Sequence, residues 1–170
     1  GFNCSCGLTN KDAEINLTSG SAAIRNAQLA NIAAEKIGAA PIEINEAALE
    51  RSAELNVKGV RTKLRLTKNP ASWREALLGI RSNNVILILN AREVDGIDTS
   101  WLWDIDFSSL KGKKIAVTGE RALDMVYRLH VQGIDSKDFK DFESAVGHFE
   151  KNSNVDVLAA YTAFHGLVRA

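Results

Sequence analysis

Val85-Ile86-Leu87-Ile88-Leu89 decides the fold class, because five apolar residues follow one another without the polar alternation of a half-exposed strand. Such continuous runs are typical of strands that are buried on both faces, as in a parallel sheet covered by helices. No apolar run in the chain is longer than these five residues, and a membrane-spanning helix needs roughly 20. We therefore predict a buried central strand and no transmembrane segment.

Further strands and helices alternate on both sides of this run. The predicted strands lie at residues 62–66, 85–89, 114–117 and 155–159. The predicted helices lie at residues 72–80, at residues 120–130 and from residue 162 onward. One more helix is predicted between the last two, with Phe139, Phe142, Val146 and Phe149 on one side. Strands separated by helices need crossover connections, which make neighbouring strands parallel. The pattern predicts a three-layer, Rossmann-like α/β domain with a mostly parallel sheet, whose ligands bind beyond the carboxyl ends of the strands.

The helix predicted at residues 120–130 has two apolar faces. Leu123, Val126, Tyr127 and His130 form one face, while Ala122, Met125 and Leu129 form another. A helix that is apolar on more than one side is usually buried. We expect this helix to be largely covered, and we expect no catalytic histidine in the chain.

Before the sheet, small residues recur at helical spacing. Ala23, Ala27, Ala30, Ala34 and Ile37 draw one stripe along a predicted helix, which Ser21 can cap and Gly38 can end. A second helical pattern begins between Pro41 and Asn45 and runs through Glu54.

Bulk composition excludes several classes of protein. Lys plus Arg and Asp plus Glu are both 21, so the formal net charge is zero and nothing indicates a nucleic-acid partner. Cys4 and Cys6 are too close together for an ordinary structural disulfide, which favours a reducing, cytoplasmic compartment. Residue 1 is Gly and no secretory signal follows, so we expect a fragment of a longer protein.

The most unusual segment is Asn90-Ala-Arg-Glu-Val-Asp95-Gly96-Ile-Asp98-Thr-Ser100-Trp101-Leu-Trp103-Asp104-Ile-Asp106-Phe107. It holds four aspartates and two of the three tryptophans. From composition alone, the tryptophans would pin an irregular crossover onto the sheet and the aspartates would cap turns or remain solvated.

The segment resembles the Asp-Gly-x-Asp-x-Ser-Trp-x-Trp/Tyr-Asp-x-Asp-Phe motif of the MurT C-terminal domain, in the Mur ligase superfamily. The likeness continues through Lys68-Asn69-Pro70-Ala71, through Gly119-Glu120-Arg121-Ala122-Leu123-Asp124-Met125 with Arg128-Leu129, through Leu158 to Thr162, and through Arg25-Asn26-Ala27. The resemblance implies the Mur ligase C-terminal type of α/β fold. It also implies an ATP-dependent carbon-nitrogen ligase that amidates the D-glutamate of lipid II to D-isoglutamine.

The resemblance also implies a separate glutaminase partner, GatD, which uses a Cys and a His. In that family an aspartate of MurT completes the catalytic triad across the interface, and the matching position is Asp98. Asp95 is the second choice and Asp104 also competes, because spacing alone does not show which carboxylate points outward. A carboxylate in this role fixes the tautomer of the histidine and stabilises the imidazolium.

Phosphate chemistry needs a backbone cradle, a lysine and Mg²⁺. No Gly-x-x-x-x-Gly-Lys-Ser/Thr loop occurs in the chain, so we expect ATP and Mg²⁺ to bind elsewhere in the full-length protein and this fragment alone to be inactive. The resemblance implies that Asn26, Lys68 and Asn69 are candidates for contact with the nucleotide or the substrate. For Lys68-Asn69-Pro70, an ordinary strand-ending turn is the alternative.

The resemblance sets the predicted domain boundaries. Cys4-Ser5-Cys6-Gly7 resembles the second knuckle of the zinc ribbon in MurT proteins. A four-cysteine zinc site needs two knuckles, normally with two residues between the cysteines, so two free thiols are the preferred interpretation. We predict a zinc-ribbon and central-domain remnant at residues 1–18, a helical segment of the central domain and linker at 19–57, and the C-terminal α/β domain at 58–170.

Two departures from the family pattern keep alternatives open. The Gly-Arg-x-Glu element appears as Gly59-Val60-Arg61-Thr62 without its glutamate, and Ser72 stands where glycine is usual. One alternative is the C-terminal lobe of a Mur-type peptide ligase that needs no glutaminase. Another is a non-enzymatic interaction domain, in which Asp98 has no catalytic role.

Overall fold

The computed structural model describes residues 22–41 and 52–169. The chain divides into two compact units, residues 1–50 and 51–170. In the first unit, helix α1 spans Ala22–Lys36. Gly38 has a φ of +78°, and Ala39 N donates to Ala34 O at 2.9 Å, so a left-handed residue ends the helix as predicted. Ser21, Cys4 and Cys6 lie outside the described residues.

The second unit contains a six-stranded sheet with the strand order β1-β2-β6-β3-β4-β5. The strands are β1 Ser52–Val57, β2 Val60–Leu66, β3 Asn84–Ile88, β4 Lys114–Thr118, β5 Lys137–Asp138 and β6 Asn154–Ala159. Only β1 runs antiparallel to its neighbour, and the other pairs are parallel. The prediction of a mostly parallel sheet is confirmed.

Helices cover both faces of the sheet. They are α2 Pro70–Leu78, α3 Ala122–Val131, α4 Phe142–Val146 and α5 Tyr161–Arg169. One core holds residues of α2, of α3 and of the irregular segment at residues 89–113, between β3 and β4. The other core holds residues of α4 and α5. The predicted three-layer architecture is therefore the observed one.

The irregular segment contains two short 3₁₀ helices, Ser100–Asp104 and Ser108–Leu110. Trp101 packs against the fully buried Trp73 with 6.2 Å between ring centroids, and Phe107 meets Trp73 edge-on at 6.1 Å. These aromatic contacts hold the crossover against α2 and the core on that face of the sheet. The expected anchoring role is confirmed for Trp101, whereas Trp103 is 52% exposed.

The helical pattern predicted through Glu54 is wrong at its end, because Ser52–Val57 is a strand. Lys58 and Gly59 both have positive φ, 53° and 83°, which is the conformation of a two-residue hairpin turn. Ala53, Leu55 and Val57 alternate along β1 and pack against the second core. This alternation has the period of two that is typical of a strand, and residues 52–57 belong to the sheet.

The helix predicted around Phe139–Phe149 is also wrong in extent. Phe139 N donates to Val117 O at 2.8 Å, so this residue continues the pairing of β5 with β4. Asp141 accepts a hydrogen bond from Ser144 N and begins α4 at Phe142, and Gly147 ends it. The apolar spacing is shared by a strand end, one short helix and a turn.

Candidate functional site

The candidate site lies where four parallel strands end. Ala159 of β6 pairs with Leu66 of β2 on one side and with Ile88 of β3 on the other. Ile88 also pairs with Thr118 of β4. Residues 67–70, 89–98, 118–121 and 160–162 therefore leave one edge of the sheet, as predicted. This edge is where ligands approach open α/β sheets.

Asp98 is exposed and held in a tight turn. Its carboxylate accepts hydrogen bonds from Ser100 N at 2.8 Å and from Ser100 Oγ at 2.9 Å. The backbone bond, and then the hydroxyl bond, lower the pKa of Asp98 from its ordinary value. Because both donors favour the charged form, Asp98 presents an ionised carboxylate of fixed orientation to solvent.

Asp95, in contrast, points inward and is only 8% exposed. Its carboxylate accepts hydrogen bonds from Thr162 N at 2.8 Å and from Thr162 Oγ1 at 2.6 Å. Arg92 N donates to the same carboxylate at 3.2 Å. A carboxylate engaged in this way is not presented to a partner, so the geometry favours Asp98 over Asp95 as the outward-facing candidate.

The remaining aspartates of the segment are both exposed. The backbone oxygen of Asp104 accepts from Arg74 Nη2 at 2.7 Å. Asp106 repeats the geometry of Asp98: it accepts from Ser108 N at 2.8 Å and from Ser108 Oγ at 2.9 Å, and its pKa is likewise lowered by these bonds. Local turn geometry alone therefore does not distinguish Asp98 from Asp106.

Two exposed apolar residues lie near Asp98 in the sequence. Val94 and Ile97 are 56% and 71% exposed. Thr99 Oγ1 donates to Asp124 Oδ2 at 3.3 Å, which places the turn beside the start of α3. This turn therefore joins an aspartate to exposed apolar surface.

A second exposed apolar patch adjoins α3, and we call it the α3 patch: Trp103, Leu123 and Tyr127. These residues are 52%, 70% and 60% exposed, and Trp103 meets Tyr127 edge-on at 6.2 Å. Arg128 lies over the Trp103 ring at 4.9 Å. The expectation that this helix is largely buried is wrong, because only its Ala122, Met125 and Leu129 side is buried. The second apolar face was the signal of an exposed patch.

Asn69 is used to begin a helix. Its side chain accepts from Ser72 N at 3.0 Å, and Ser72 Oγ accepts from the backbone N–H groups of Lys68 and Asn69. This is a capping box, and it gives Ser72 a role that the glycine usual at this position lacks. The structure thus supports the alternative of a strand-ending turn for Asn69.

Lys68 is exposed, with its ammonium 5.7 Å from the centre of the Tyr161 ring. Tyr161 in turn packs against His165 with 4.3 Å between centroids. Asn26 lies exposed on α1, in the other unit. Nucleotide or substrate binding by Asn26, Lys68 and Asn69 stays a prediction.

Metal binding has no support in the described ranges, 22–41 and 52–169, where no group of three or more His, Cys, Asp or Glu side chains is arranged to hold an ion. The same ranges contain no helix with the length and apolarity needed to cross a membrane.

Residues 66–164, more than half of the chain, match the MurT ligase C-terminal family. The chain belongs to this family. Its likeness to the MurT subunit of lipid II isoglutaminyl synthase (glutamine-hydrolyzing) from Streptococcus pneumoniae is 31% identity over 110 residues, 58% of this chain and 25% of that protein. The MurT subunit from Staphylococcus aureus strain COL is 37% identical over 79 residues, 42% of this chain and 18% of that protein.

This MurT-family chain therefore spans at most about a quarter of the length of these relatives. A solved UDP-N-acetylmuramoyl-L-alanyl-D-glutamate--2,6-diaminopimelate ligase aligns with a TM-score of 0.40 and 15% identity, covering 79% of this chain and 32% of that chain. That likeness is too low to bear on the site.

Proposed function

We propose that this chain is part of the synthetase subunit of a glutamine-dependent amidotransferase. The full-length protein would use ATP to amidate the D-glutamate of lipid II to D-isoglutamine. Asp98 would complete the catalytic triad of a GatD-like glutaminase partner. Membership of the MurT ligase C-terminal family supports the proposal, as do the names of the relatives, which describe subunits of glutamine-hydrolysing lipid II isoglutaminyl synthases.

The proposal depends on the exposure, the ionisation and the orientation of the Asp98 carboxylate. A triad aspartate supplied by a second subunit must reach the surface, be ionised and keep one orientation before the partner docks. Asp98 is exposed, and the two hydrogen bonds from Ser100 lower its pKa and fix its carboxylate. Asp95 lacks the first of these properties, since it is 8% exposed.

The surface around Asp98 suits a protein partner. Val94 and Ile97 are exposed near Asp98 in the sequence. The Thr99–Asp124 contact brings the turn to α3, the helix that carries Leu123 and Tyr127 of the α3 patch. Aromatic residues beside exposed aliphatic ones are typical of binding surfaces. A partner that covers this surface also removes water from around Asp98, which strengthens its electrostatic effect.

Asp98 would then accept the ring N–H of the partner's histidine. That contact fixes the tautomer of the imidazole and stabilises the imidazolium that forms when the partner's cysteine loses its proton. The thiolate would attack the side-chain amide carbon of glutamine, and the C–N bond would break as the imidazolium protonates the departing ammonia. Water would then hydrolyse the resulting thioester to glutamate and restore the cysteine. Asp98 remains a carboxylate throughout, in keeping with its lowered pKa.

ATP and Mg²⁺, when bound, would supply the activation of the D-glutamate carboxyl group as an acyl phosphate, which ammonia attacks. The described residues do not fit this role by themselves, because the side chain of Asn69 is used in the capping box. Lys68 offers a cation at the same edge of the sheet. We therefore assign ATP and Mg²⁺ to the full-length protein.

The test is the glutaminase rate of the full-length subunit in complex with its partner, with Asp98→Asn compared with Asp106→Asn. Asparagine can still accept the Ser100 or Ser108 N–H, so each variant loses charge but keeps its turn. We expect Asp98→Asn to lower the rate by roughly 10⁴-fold with the complex intact. The matched Asp106→Asn should behave as wild type.

Unchanged hydrolysis by Asp98→Asn, in a complex that still forms, would overturn the trans-acting role. The Mur-type ligase lobe or the interaction domain would then be the better interpretation. Replacing Lys68 with Ala would separate these two interpretations. The ligation rate should fall if the chain is a ligase lobe, and the variant should have no effect if the chain is an interaction domain.

A further inference from the structure

The loop that carries Asp98 is tied to helix α5 by one buried carboxylate. Asp95 Oδ1 accepts from Thr162 N at 2.8 Å, while Asp95 Oδ2 accepts from Thr162 Oγ1 at 2.6 Å. Asp95 N also donates to Arg92 O at 2.8 Å, which closes a turn before Asp98. The carboxylate therefore caps α5 and holds its own loop at the same time.

The Thr162 hydroxyl has its proton fixed by its neighbours. Asn90 Nδ2 donates to Thr162 Oγ1 at 2.9 Å, so the hydroxyl accepts from Asn90 and gives its own proton to Asp95. Asn90 Oδ1 accepts from Glu120 N at 3.1 Å. Through these bonds the segments that follow β3, β4 and β6 are held together at the edge of the sheet.

The Asp98 turn has little packing of its own. Gly96, Ile97 and Asp98 are all exposed, and Gly96 has a φ of +91° with open space where a Cβ would lie. The position of Asp98 is consequently set by what holds the two ends of this exposed stretch. Asp95 holds one end, and the Thr99 contact with Asp124 holds the other.

We propose that Asp95 and Thr162 are positioning residues for Asp98, and that their contact places the triad carboxylate before the glutaminase partner binds. This inference rests on the proposed function. Its physical basis is that a displacement of about 1 Å at a catalytic group can lower the rate roughly 10²-fold. A purely structural cap would change stability and leave the rate of the intact complex as it is.

Thr162→Val is the sharpest variant, because valine keeps the shape of threonine and the Thr162 N–H but removes the hydroxyl. We expect the glutaminase kcat of the full-length complex to fall by roughly 10²-fold, with KM for glutamine and Kd for the partner unchanged. Amide hydrogen exchange should become faster in the free full-length subunit at Arg92 and Ser100. Thr162→Ser, which keeps the hydroxyl, should restore both measurements.

Asp141→Ala is the matched control. Asp141 caps α4 by accepting from Ser144 N at 2.7 Å, so its loss removes a helix-capping bond that lies within residues 141–144 and outside the Asp98 loop. It should leave kcat and the exchange of Arg92 and Ser100 at their wild-type values.

Three results would overturn the inference. Unchanged exchange in Thr162→Val would show that the contact does not hold the loop. Faster exchange with unchanged kcat, in a complex that Asp98→Asn inactivates, would show that docking alone places Asp98, while the proposed function stands. Full activity of Asp98→Asn would remove the proposed function and this inference with it.

Discussion

Asp156 and Arg65 form a buried ion pair, with Arg65 Nη1 2.7 Å from Asp156 Oδ1 and only 15% and 6% of the two side chains exposed. The second carboxylate oxygen accepts from Arg81 N and Ser82 N, both at 2.8 Å. Asp156 interrupts an otherwise buried apolar strand. Its bonds therefore join β6 to β2 and to the connection that follows α2.

Replacing Asp156 with Ala should destabilise the protein by about 3 kcal/mol, because a buried cation and two backbone donors lose their partner. Urea unfolding at neutral pH measures this change. Lys58→Ala is the control, since Lys58 and Glu143 form an ion pair with 56% and 71% of their side chains exposed, and such pairs contribute about 1 kcal/mol or less. Equal effects of the two variants would contradict the role given to Asp156.

The α3 patch leads to a second prediction. Trp103→Ala or Tyr127→Ala should weaken binding of the glutaminase partner roughly 30-fold, because interface aromatics often contribute about 2 kcal/mol. Isothermal titration calorimetry with the full-length subunit measures the Kd. Leu78→Ala provides a control, because Leu78 on α2 is 78% exposed but lies outside the patch. If Trp103→Ala and Tyr127→Ala both bind the partner as tightly as wild type, the partner docks elsewhere.

The sheet was predictable because its central strands are buried on both faces, so their apolar runs stand out in the sequence. The β1–β2 hairpin was not, because Lys58 takes a positive φ of 53° that lysine rarely adopts, and a helical pattern overlapped the alternation of β1. Periodicity located both apolar faces of α3. It does not show which face the rest of the chain covers.

The candidate site was predictable in part. The Asp-x-Ser pairs at Asp98 and Asp106 are a local signal of side-chain to backbone turns, and this signal predicts that both carboxylates stay near the surface. The inward orientation of Asp95 depends on Thr162, which lies 67 residues further along the chain. No local pattern reveals such a contact, so the sequence alone does not show that Asp95 points inward while Asp98 faces solvent.

Ser100 makes the titration of Asp98 testable. The pKa of Asp98 should lie below its ordinary value, 3.8, and Ser100→Ala should raise it because the hydroxyl bond is lost while the backbone bond remains. A lowered pKa in the folded protein contributes stability above the unfolded value, and this contribution disappears as the pH falls through the folded value. NMR titration of the side-chain carboxyl carbon measures the shift. Ser108→Ala, which acts on Asp106, should leave Asp98 unchanged.

The lowered pKa of His148 predicts a second pH dependence of stability, at a pH closer to neutral than the titration of Asp98. Its ring lies 5.1 Å from Phe139 and 5.4 Å from Phe149, and burial first, then Lys114 and Lys137, lower its pKa from the ordinary value of 6.5. Between the folded and unfolded pKa values, the unfolded chain binds a proton that the native protein does not. Stability should therefore fall as the pH drops below about 6.5.

The measurement is the urea midpoint between pH 7.5 and pH 5.5, a window above the titration of the aspartates. His148→Gln should remove the part of the slope that comes from this ring, and Lys137→Ala should reduce it, because one of the two nearby positive charges that disfavour the imidazolium is gone. An NMR titration that places the pKa of His148 at or above 6.5 would contradict the prediction, since a proton that the native state binds as readily as the unfolded chain cannot destabilise it.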